Sequence, residues 1–269
     1  MVRHLGDATV LIHFDARSSN NDFHELTEQF RNSSRIVFLP RHSVHWGDFG
    51  VVAAAFSGMN WLLRQGVAFE ECVLFSGQDY PIKSTEFIEQ FFAAKPERIF
   101  LHHSWMDHWS QKWRMVRLDH WYFWPFGKRV KFPNKYIDKV AVIRRRIPAG
   151  FVPYTGSSWW CFPRDTVHFL CDFSTHNMEF INFFKSSLLP EEYLFQMILM
   201  NSELRTRIVD DDLRYIQWPK YGGKDHPNVL TVNDLHNILE SDKLFARKFD
   251  DAIDSAVLDL LDEAMATAP

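Results

Sequence analysis

The fold is decided by residues 72–93, CVLFSGQDYPIKSTEFIEQFFA. The apolar run Cys72–Phe75 predicts a short buried strand, Ser76–Pro81 a turn, and Thr85–Ala93 has the periodicity of a helix. A strand that passes through a turn into a helix is the repeating unit of an α/β sheet. Ligands of such sheets bind at the carboxyl ends of the strands, so the loop after Phe75 is predicted to face a ligand.

The same alternation extends towards the N-terminus and predicts a parallel α/β sheet within residues 1–100. Its predicted elements are a strand over Ala8–Phe14, a helix over His24–Arg31, a strand over Arg35–Leu39, a loop over Pro40–Gly50 and a buried helix over Val51–Leu63.

The predicted α/β sheet is followed by an irregular stretch, Phe100–Pro148, that is aromatic and basic. Regular structure is predicted again after it, and one domain over residues 1–269 accounts for the whole pattern. The later elements are a strand over Gly156–Phe162, a helix over Pro163–Asp172, a largely buried helix from Pro190, a strand over Tyr215–Trp218, a helix over Asp234–Glu240 capped by Asn233, and an amphipathic helix over Asp250–Ala266 that we expect to cover the sheet.

Composition narrows the class of protein. With 46% hydrophobic and 24% charged residues, the 269-residue chain is globular, and its net charge of -4 provides no basic field for nucleic acid. The cysteines Cys72, Cys161 and Cys171 are odd in number and lack metal-site spacing, which favours a reduced, cytoplasmic setting. No segment approaches the ~20 apolar residues of a membrane span. We therefore expect no signal peptide and no integral membrane segment, with peripheral association at the inner face of the membrane left open.

Aromatic residues are unusually abundant, at 16% of the chain with 25 Phe and 10 Trp. Core packing is the favoured role for any single ring, because a large ring removes much apolar area from water. Stacking on a sugar or a base remains the alternative for a few of them. The irregular stretch from residue 101 to residue 155 is predicted to carry acceptor contacts or a partner surface.

Glu191 and Glu192 are candidates for acid–base chemistry. They follow Pro190 at the predicted start of a buried helix, where partial desolvation raises a carboxyl pKa and the helix dipole limits the rise. The residue pattern alone leaves two interpretations open: a general base for a hydroxyl group, or carboxylates that only complement the helix N-terminus.

Arg247 and Lys248 are candidates for binding an anion. They stand between Phe245 and Phe249, whose rings are expected to anchor this segment in the core and keep two cations beside an apolar wall. The alternative is a charged helix end or a solvated pair, and spacing does not decide between them.

The sequence does not favour a metal site. The loop after Phe75 contains the single carboxylate Asp79, and the only Asp-x-Asp, Asp210–Asp212, is interpreted as a solvated acidic run. Three histidines lie in the irregular stretch without matching cysteine or carboxylate spacing: His102, His103 and His108.

Taken together and in order, six segments resemble the core-2/I-branching N-acetylglucosaminyltransferase and peptide O-xylosyltransferase family. The segments are His13–Asp15, Trp46–Gly47, Ser76–Lys83, Gly156–Trp160, Pro190–Glu192 and Phe245–Phe249. The resemblance spans nearly the whole chain. It implies a glycosyltransferase A-type fold, a Rossmann-like mixed sheet flanked by helices, with inverting chemistry on a UDP-sugar and no required metal or other cofactor.

The resemblance also implies roles for individual residues. The family's catalytic carboxylate falls on Glu192, with Glu191 in the place of the family's Asp, and its diphosphate-binding lysine falls on Lys248. No Arg stands where the family has a second cation, so Lys224 or Arg247 is expected to serve.

The remaining matches lie around the donor and the acceptor. His13–Asp15 resembles the strand that lines the uridine pocket, so His13 and Asp15 are expected at the donor. The other expected positions, in loops that face donor and acceptor, are Gly77, Asp79, Ser158 and Trp159. Residues 1–100 would then bind the nucleotide, and residues 156–269 the acceptor and the diphosphate.

Family members usually have a further strand and helix before the His13–Asp15 strand. The resemblance therefore implies a fold without its first strand, either because the reading frame starts downstream of the true start or because the pocket lacks this wall. The expected activity is transfer of N-acetylglucosamine from its UDP derivative to a hydroxyl of a glycan or lipid-linked acceptor, giving a β-linked product. The alternatives are transfer of xylose, and a non-catalytic relative that binds carbohydrate or a partner.

Overall fold

The structure, a computed structural model, describes residues 4–106, 112–132, 145–219 and 226–267. The described helices, in chain order, are α1 (Asn20–Gln29), α2 (Gly50–Arg64), α3 (Thr85–Ala93), α4 (Lys112–Asp119), α5 (Arg164–His176), α6 (Met178–Phe184), α7 (Leu194–Met200), α8 (Leu235–Glu240) and α9 (Ala256–Thr267). The described strands are β1 (Val10–Ile12), β2 (Ile36–Phe38), β3 (Glu71–Val73), β4 (Asp79–Pro81), β5 (Ile99–Trp105), β6 (Trp121–Phe123), β7 (Val130–Phe132), β8 (Tyr154–Pro163), β9 (Ile208–Val209), β10 (Arg214–Ile216) and β11 (Phe245–Arg247).

The largest sheet among the described residues has the strand order β3–β8–β5–β9. Strand β8 is antiparallel to both of its neighbours, whereas β9 runs parallel to β5. A second sheet has the order β10–β11–β4, and β1 pairs with β2 in parallel. Helices flank these sheets, so the expectation of a mixed α/β fold of the glycosyltransferase A type is confirmed.

The predicted strand order of the first hundred residues is wrong beyond β1 and β2. Strands β3 and β5 both pair with β8, which comes from much later in the chain, and β4 pairs with β11. The predicted turn Ser76–Pro81 accordingly ends in a strand, Asp79–Pro81. Local periodicity identifies an element, but packing of distant segments decides its neighbours. The buried rings of Trp160 and Phe162 require a central position for β8.

The predicted irregular excursion also contains regular structure. Its first residues form the core strand β5, and the described part continues with α4 and the antiparallel hairpin β6–β7. Its periodicity is weak because α4, β6 and β7 are short and the hairpin exposes most of its aromatic side chains. His108 of this stretch and Lys224 lie outside the described residues.

The predicted helix from Pro190 is divided into two parts. Pro190–Glu192 form a 3₁₀ turn after Leu189, which has a φ of 54°, and α7 starts only at Leu194. Tyr193 between them has a non-helical φ of -134°. Glu191 and Glu192 therefore precede α7 and do not occupy its first turn.

Two further helix predictions are confirmed with two corrections, one to a cap and one to a start, since the C-terminal helix begins at Ala256 and not at Asp250. Helix α8 follows a 3₁₀ turn whose cap is Thr231 and not Asn233: the Thr231 N–H donates to the Asp234 carboxylate at 2.9 Å. The C-terminal amphipathic helix α9 covers the β4–β11 sheet, as expected, because its apolar side packs on Tyr80 and Ala246.

The main core lies between the four-stranded sheet and helices α2, α5 and α7. The rings of Trp160 and Phe162 stack with centroids 4.2 Å apart, and Phe195 meets both rings edge-on. Nearby, a Cβ at Gly156 would lie 1.9 Å from the His102 carbonyl oxygen, so only glycine allows β8 to approach β5 here. None of the helices in the described ranges combines the length and the apolar character that a membrane crossing needs.

Candidate active site

Glu192 forms an ion pair with Arg117. The Arg117 guanidinium on α4 donates to a Glu192 carboxylate oxygen over 2.5 Å, and the two side chains are 20% and 29% exposed. The pair is thus accessible from solvent on one side. A charge-assisted hydrogen bond of this kind fixes the direction of the carboxylate.

Burial raises the pKa of Glu192 above its ordinary value, and Arg117 and Arg114 oppose this rise. The carboxyl group consequently binds a proton more readily than a surface glutamate does, and the two arginines limit this effect. Those are the properties of a general base.

Three segments hold the turn that carries Glu192. The Leu189 N–H donates to the Gly47 carbonyl at 2.9 Å, and the Leu188 N–H donates to the Arg117 carbonyl at 3.0 Å. On the other side, the Thr155 hydroxyl of β8 donates to the Glu192 carbonyl at 3.1 Å. The Trp46–Gly47 loop, α4 and β8 therefore converge on the candidate base.

Glu191 points into the protein and is only 8% exposed. Burial is the main cause that raises its pKa to about 8, with neighbouring Glu192 and Asp48 adding to the effect. Its Oε2 has no hydrogen-bond partner within the described part of the chain. Glu191 is therefore protonated at neutral pH, which leaves the negative charge of the turn on Glu192.

A second cluster surrounds Asp79 at the other sheet. Asp79 on β4 lies directly opposite Arg247 on β11, and its Oδ1 is 2.9 Å from the arginine Nε. The Trp159 ring covers this arginine, with the guanidinium carbon 4.2 Å from the ring centroid. Three predicted site residues, Asp79, Arg247 and Trp159, are thus brought together.

Burial raises the pKa of Asp79, and Arg247, the Ser76 N–H and Arg214 oppose the rise. Burial likewise lowers the pKa of Arg247, against the effect of Asp79. Arg214 is almost fully buried and donates to the Leu74 carbonyl at 2.6 Å, with its guanidinium carbon 6.0 Å from the Trp159 ring centroid. Asp212 acts electrostatically on Arg247 and accepts the Arg214 N–H at 3.0 Å, so two carboxylates balance the two guanidinium groups of this cluster.

Lys248 follows β11 and is half-buried, and its backbone carbonyl accepts the Leu230 N–H at 2.8 Å. Phe245 and Phe249 are buried on either side of the Arg247–Lys248 pair, which confirms that these rings anchor the segment. The pair lies at a strand end, so the alternative of a charged helix end is wrong. Within the described ranges, no ion pair engages the Lys248 ammonium group.

A bulge in β8 directs Trp159 towards the cluster. Leu101 pairs with Trp160 and His103 with Gly156, so β8 has two more residues than β5 over the same interval. The extra length includes Ser158, which is half-buried. Bulges commonly redirect side chains next to binding sites. Gly77, in the loop before Asp79, is exposed, and no atom lies within 4 Å of a Cβ built on it.

Strand β8 connects the two clusters. Thr155 contacts the Glu192 turn, and Trp159 covers Arg247 four residues later, across the bulge. The candidate base and the Asp79–Arg247 cluster are therefore placed at the two ends of one short stretch of backbone.

His13 and Asp15 lie together beyond the end of β1. The His13 Nε2 accepts the His42 N–H at 3.2 Å, and the rings of these histidines are 4.0 Å apart. Asp15 accepts the Arg17 and Val44 N–H groups at 2.9 and 3.2 Å. Burial and His42 lower the pKa of His13, so its ring is neutral at pH 7. The segment closes on the loop after β2, which leads into the Trp46–Gly47 loop beside Glu192.

A profile of the family described as "Core-2/I-Branching enzyme" matches residues 7–239. The chain belongs to the Core-2/I-branching enzyme family. Its match covers β1, the Asp79 loop, β8 and the Glu192 turn, but ends before Arg247 and Lys248.

Similar proteins in this family are named as transferases of two different sugars. The chain is 28% identical to beta-glucuronosyltransferase GlcAT14A from Arabidopsis thaliana, over 95% of this chain and 57% of that protein. It is 26% identical to xylosyltransferase 2 from Canis lupus familiaris, over 93% of this chain and 30% of that protein. The chain thus spans little more than half the length of the plant relative and about a third of the animal one.

Acidic clusters do not form a metal site in the described part of this family member. No group of three His, Cys, Asp or Glu side chains there is arranged to hold an ion. The acidic run is bound residue by residue: Asp210 lies 2.9 Å from the His102 Nδ1, Asp211 pairs with Lys243 at 2.7 Å, and Asp212 accepts the Arg214 N–H at 3.0 Å. Its last two members are half-buried, so the interpretation as a solvated run holds only for Asp210.

Sequence reasoning missed three residues of the site. Arg117, Arg214 and Asp48 contact or influence the predicted residues, and none was singled out. The basic character of the aromatic stretch was a signal for Arg117. The sequence also contained a signal for Asp48, because this residue follows Trp46 and Gly47 in the loop that the resemblance singles out. Arg214 had no signal, because a strand arginine after an acidic run is ordinary.

Proposed function

We propose that this Core-2/I-branching family member transfers a sugar from a UDP-sugar to an acceptor hydroxyl, with inversion and without a metal ion. The observation that carries the proposal is the half-buried Glu192 carboxylate, held by Arg117 and connected through β8 to the Asp79–Arg247 pair, which Lys248 follows in the chain. A base and a cationic site are the two elements that such a transfer needs.

In the proposed reaction, Glu192 takes the proton of the acceptor hydroxyl while its oxygen forms a bond to the anomeric carbon. The bond from that carbon to the UDP oxygen breaks, and UDP leaves with the electron pair. Attack opposite the leaving group inverts the anomeric centre, which gives a β-linked product. Protonated Glu191 supports this role, since a second carboxylate charge would raise the pKa of Glu192 further.

Lys248 is proposed to meet the leaving diphosphate. One cation about 4 Å from a diphosphate oxygen is worth ~4 kcal/mol at an effective dielectric near 20. Arg247 is already paired with Asp79, so its positive charge is partly neutralised. It is proposed to hold the Trp159 ring in place and to add a smaller attraction for the diphosphate. Lys224, the other candidate, lies outside the described residues. His13 and Asp15 are proposed for the uridine end of the donor.

The donor sugar is the finer part of the proposal. The resemblance led to N-acetylglucosamine with xylose as the alternative, and the relatives' names add glucuronic acid. The acceptor is proposed to be a glycan or a lipid-linked intermediate.

A panel of the three UDP-sugars, with UDP release as the readout, tests the function and identifies the donor. If no UDP-sugar of the panel released UDP faster than in buffer, even with varied glycan acceptors present, the proposal would be refuted. A non-catalytic carbohydrate-binding relative would then be favoured.

A further inference from the structure

The hairpin β6–β7 presents an apolar face to solvent. Trp121 lies opposite Phe132 and Phe123 opposite Val130, so all four side chains share one face of the hairpin. Phe126 in the connecting turn is fully exposed. We call these five residues the aromatic face; their exposed fractions are 39% for Trp121, 47% for Phe123, 103% for Phe126, 45% for Val130 and 39% for Phe132.

The other side of the hairpin is fixed to the body of the protein. Tyr122 is 3% exposed and packs against Leu188 and Leu189. At the far end of the strand, the Trp124 indole N–H donates to the Trp46 carbonyl at 3.3 Å. The aromatic face is therefore held outward by packing on its reverse side, and rotating it inward would expose Tyr122.

The charged residues of the hairpin, residues 121–132, are all basic, because this stretch contains no Asp or Glu. Lys128 in the connecting turn is exposed beside Phe126. Lys131 is opposite Tyr122 and so lies on the reverse face, and the Arg129 guanidinium carbon lies 4.9 Å from the Trp46 ring centroid. A contiguous apolar surface on a basic hairpin matches a bilayer, where rings enter the headgroup level and cations meet lipid phosphates.

We propose that the aromatic face docks this protein on an anionic phospholipid bilayer. A soluble glycan fits the surface less well, because residues 121–132 also contain no Asn or Gln to bind sugar hydroxyls. The fully exposed Phe126 at the tip suits insertion between lipids better than flat stacking on a ring.

The proposed docking has a consequence for the site. Leu188 and Leu189, on which Tyr122 packs, lead directly into the turn that carries Glu192. The packing of Tyr122 therefore connects the hairpin to the turn that carries the candidate base.

Sedimentation of the full chain with vesicles tests this proposal without any assay of sugar transfer. We expect binding to vesicles of phosphatidylcholine mixed with phosphatidylglycerol, little binding to phosphatidylcholine alone, and a decrease with added salt. Phe126→Ser should weaken binding about tenfold or more, because an exposed ring leaves the lipid. Lys128→Gln should weaken binding about fivefold at low salt.

Phe87→Ser is the matched control, since Phe87 on α3 is as exposed as Phe123 but lies outside the hairpin. Phe87→Ser should bind vesicles as the parent chain does. No vesicle binding by the parent chain, or equal loss in Phe87→Ser and Phe126→Ser, would overturn the proposal. So would Phe126-dependent binding of a soluble oligosaccharide or of a second copy of the chain in place of vesicles. If the chain still transferred sugar while giving any of these results, only the membrane-docking proposal would be refuted, and the proposed function would not be.

Discussion

Arg117 and Glu192 are 75 residues apart in sequence, and the arginine guanidinium donates to the glutamate carboxylate over 2.5 Å. This pair places a cation beside the candidate base. It lowers a carboxyl pKa that burial raises, so the properties of Glu192 depend on an element, α4, that no local pattern connects to it.

The variant Glu192→Gln should reduce turnover about 100-fold or more, because the amide cannot take the acceptor proton. The affinity for UDP should change little, since the diphosphate is proposed to bind at the other cluster. Initial rates and calorimetric titration with UDP measure the two effects. Glu240→Gln, at a mostly exposed position on α8, is the control. Turnover equal to that of this control would remove Glu192 from the mechanism.

The variant Arg117→Met should shift the acid limb of the rate–pH profile to higher pH. Loss of the cation removes an effect that lowers the Glu192 pKa, so the base becomes ionised only at higher pH. Arg117→Lys should shift the profile less, because a charge remains. Profiles of kcat/KM against pH for these variants and for Arg205→Met, an exposed arginine, provide the measurement. An unshifted acid limb in Arg117→Met contradicts the proposed coupling.

The variant Lys248→Ala should weaken UDP binding by about 10-fold to 100-fold, the usual value of a hydrogen bond to a charged group. Calorimetry with UDP is the direct readout. Lys185→Ala, at an exposed lysine after α6, controls for the loss of one positive charge. Similar UDP affinities for the two variants would exclude Lys248 from the diphosphate site.

Treatment with EDTA should leave the rate of sugar transfer unchanged, and added Mn²⁺ should not increase it. The reason is that lysine and arginine side chains are proposed to stabilise the leaving diphosphate, which a divalent ion does in other nucleotide-sugar enzymes. Rates measured before and after chelation test this. Activity that is lost with EDTA and restored by Mn²⁺ would require a metal in the reaction.

The sequence predicted elements better than their arrangement. Helix α3 has the predicted bounds, because Ser84 caps it and its apolar residues repeat at helical spacing. The insertion of β8 between β3 and β5 was not predicted, since no local pattern encodes which distant strands become neighbours. The turn at Pro190 was read as a helix start, because the left-handed conformation of Leu189 leaves no mark in the residue types.

For the candidate site too, individual residues were predicted better than the contacts between them. Asp79 and Trp159 were identified from the resemblance and Arg247 from the apolar residues around it, and the structure places Arg247 against both. Arg117 was missed because its partner is 75 residues away and its surroundings show no periodicity. Long-range ion pairs of this kind form only once the chain has folded, so the spacing of residues in the sequence carries no information about them.

Glu191 gives a prediction about stability. Burial raises its pKa from 4.5 to about 8, so the folded chain holds this proton at a pH where the unfolded chain has lost it. Stability from this group is therefore complete below about pH 4.5 and is lost as the pH rises through about 8. Glu71, whose pKa is also raised to about 8, adds a dependence of the same sign.

The variant Glu191→Gln keeps the shape of the protonated side chain and cannot ionise. Its free energy of unfolding should fall less between about pH 5 and pH 8 than that of the parent chain, by a few kcal/mol at about 1.4 kcal/mol per pKa unit. Urea unfolding at both pH values measures the difference, with Glu240→Gln expected to behave as the parent does. If Glu191→Gln lost as much stability as the parent between the two pH values, Glu191 would have to be ionised in the folded protein, and the charge of the turn would not reside on Glu192 alone.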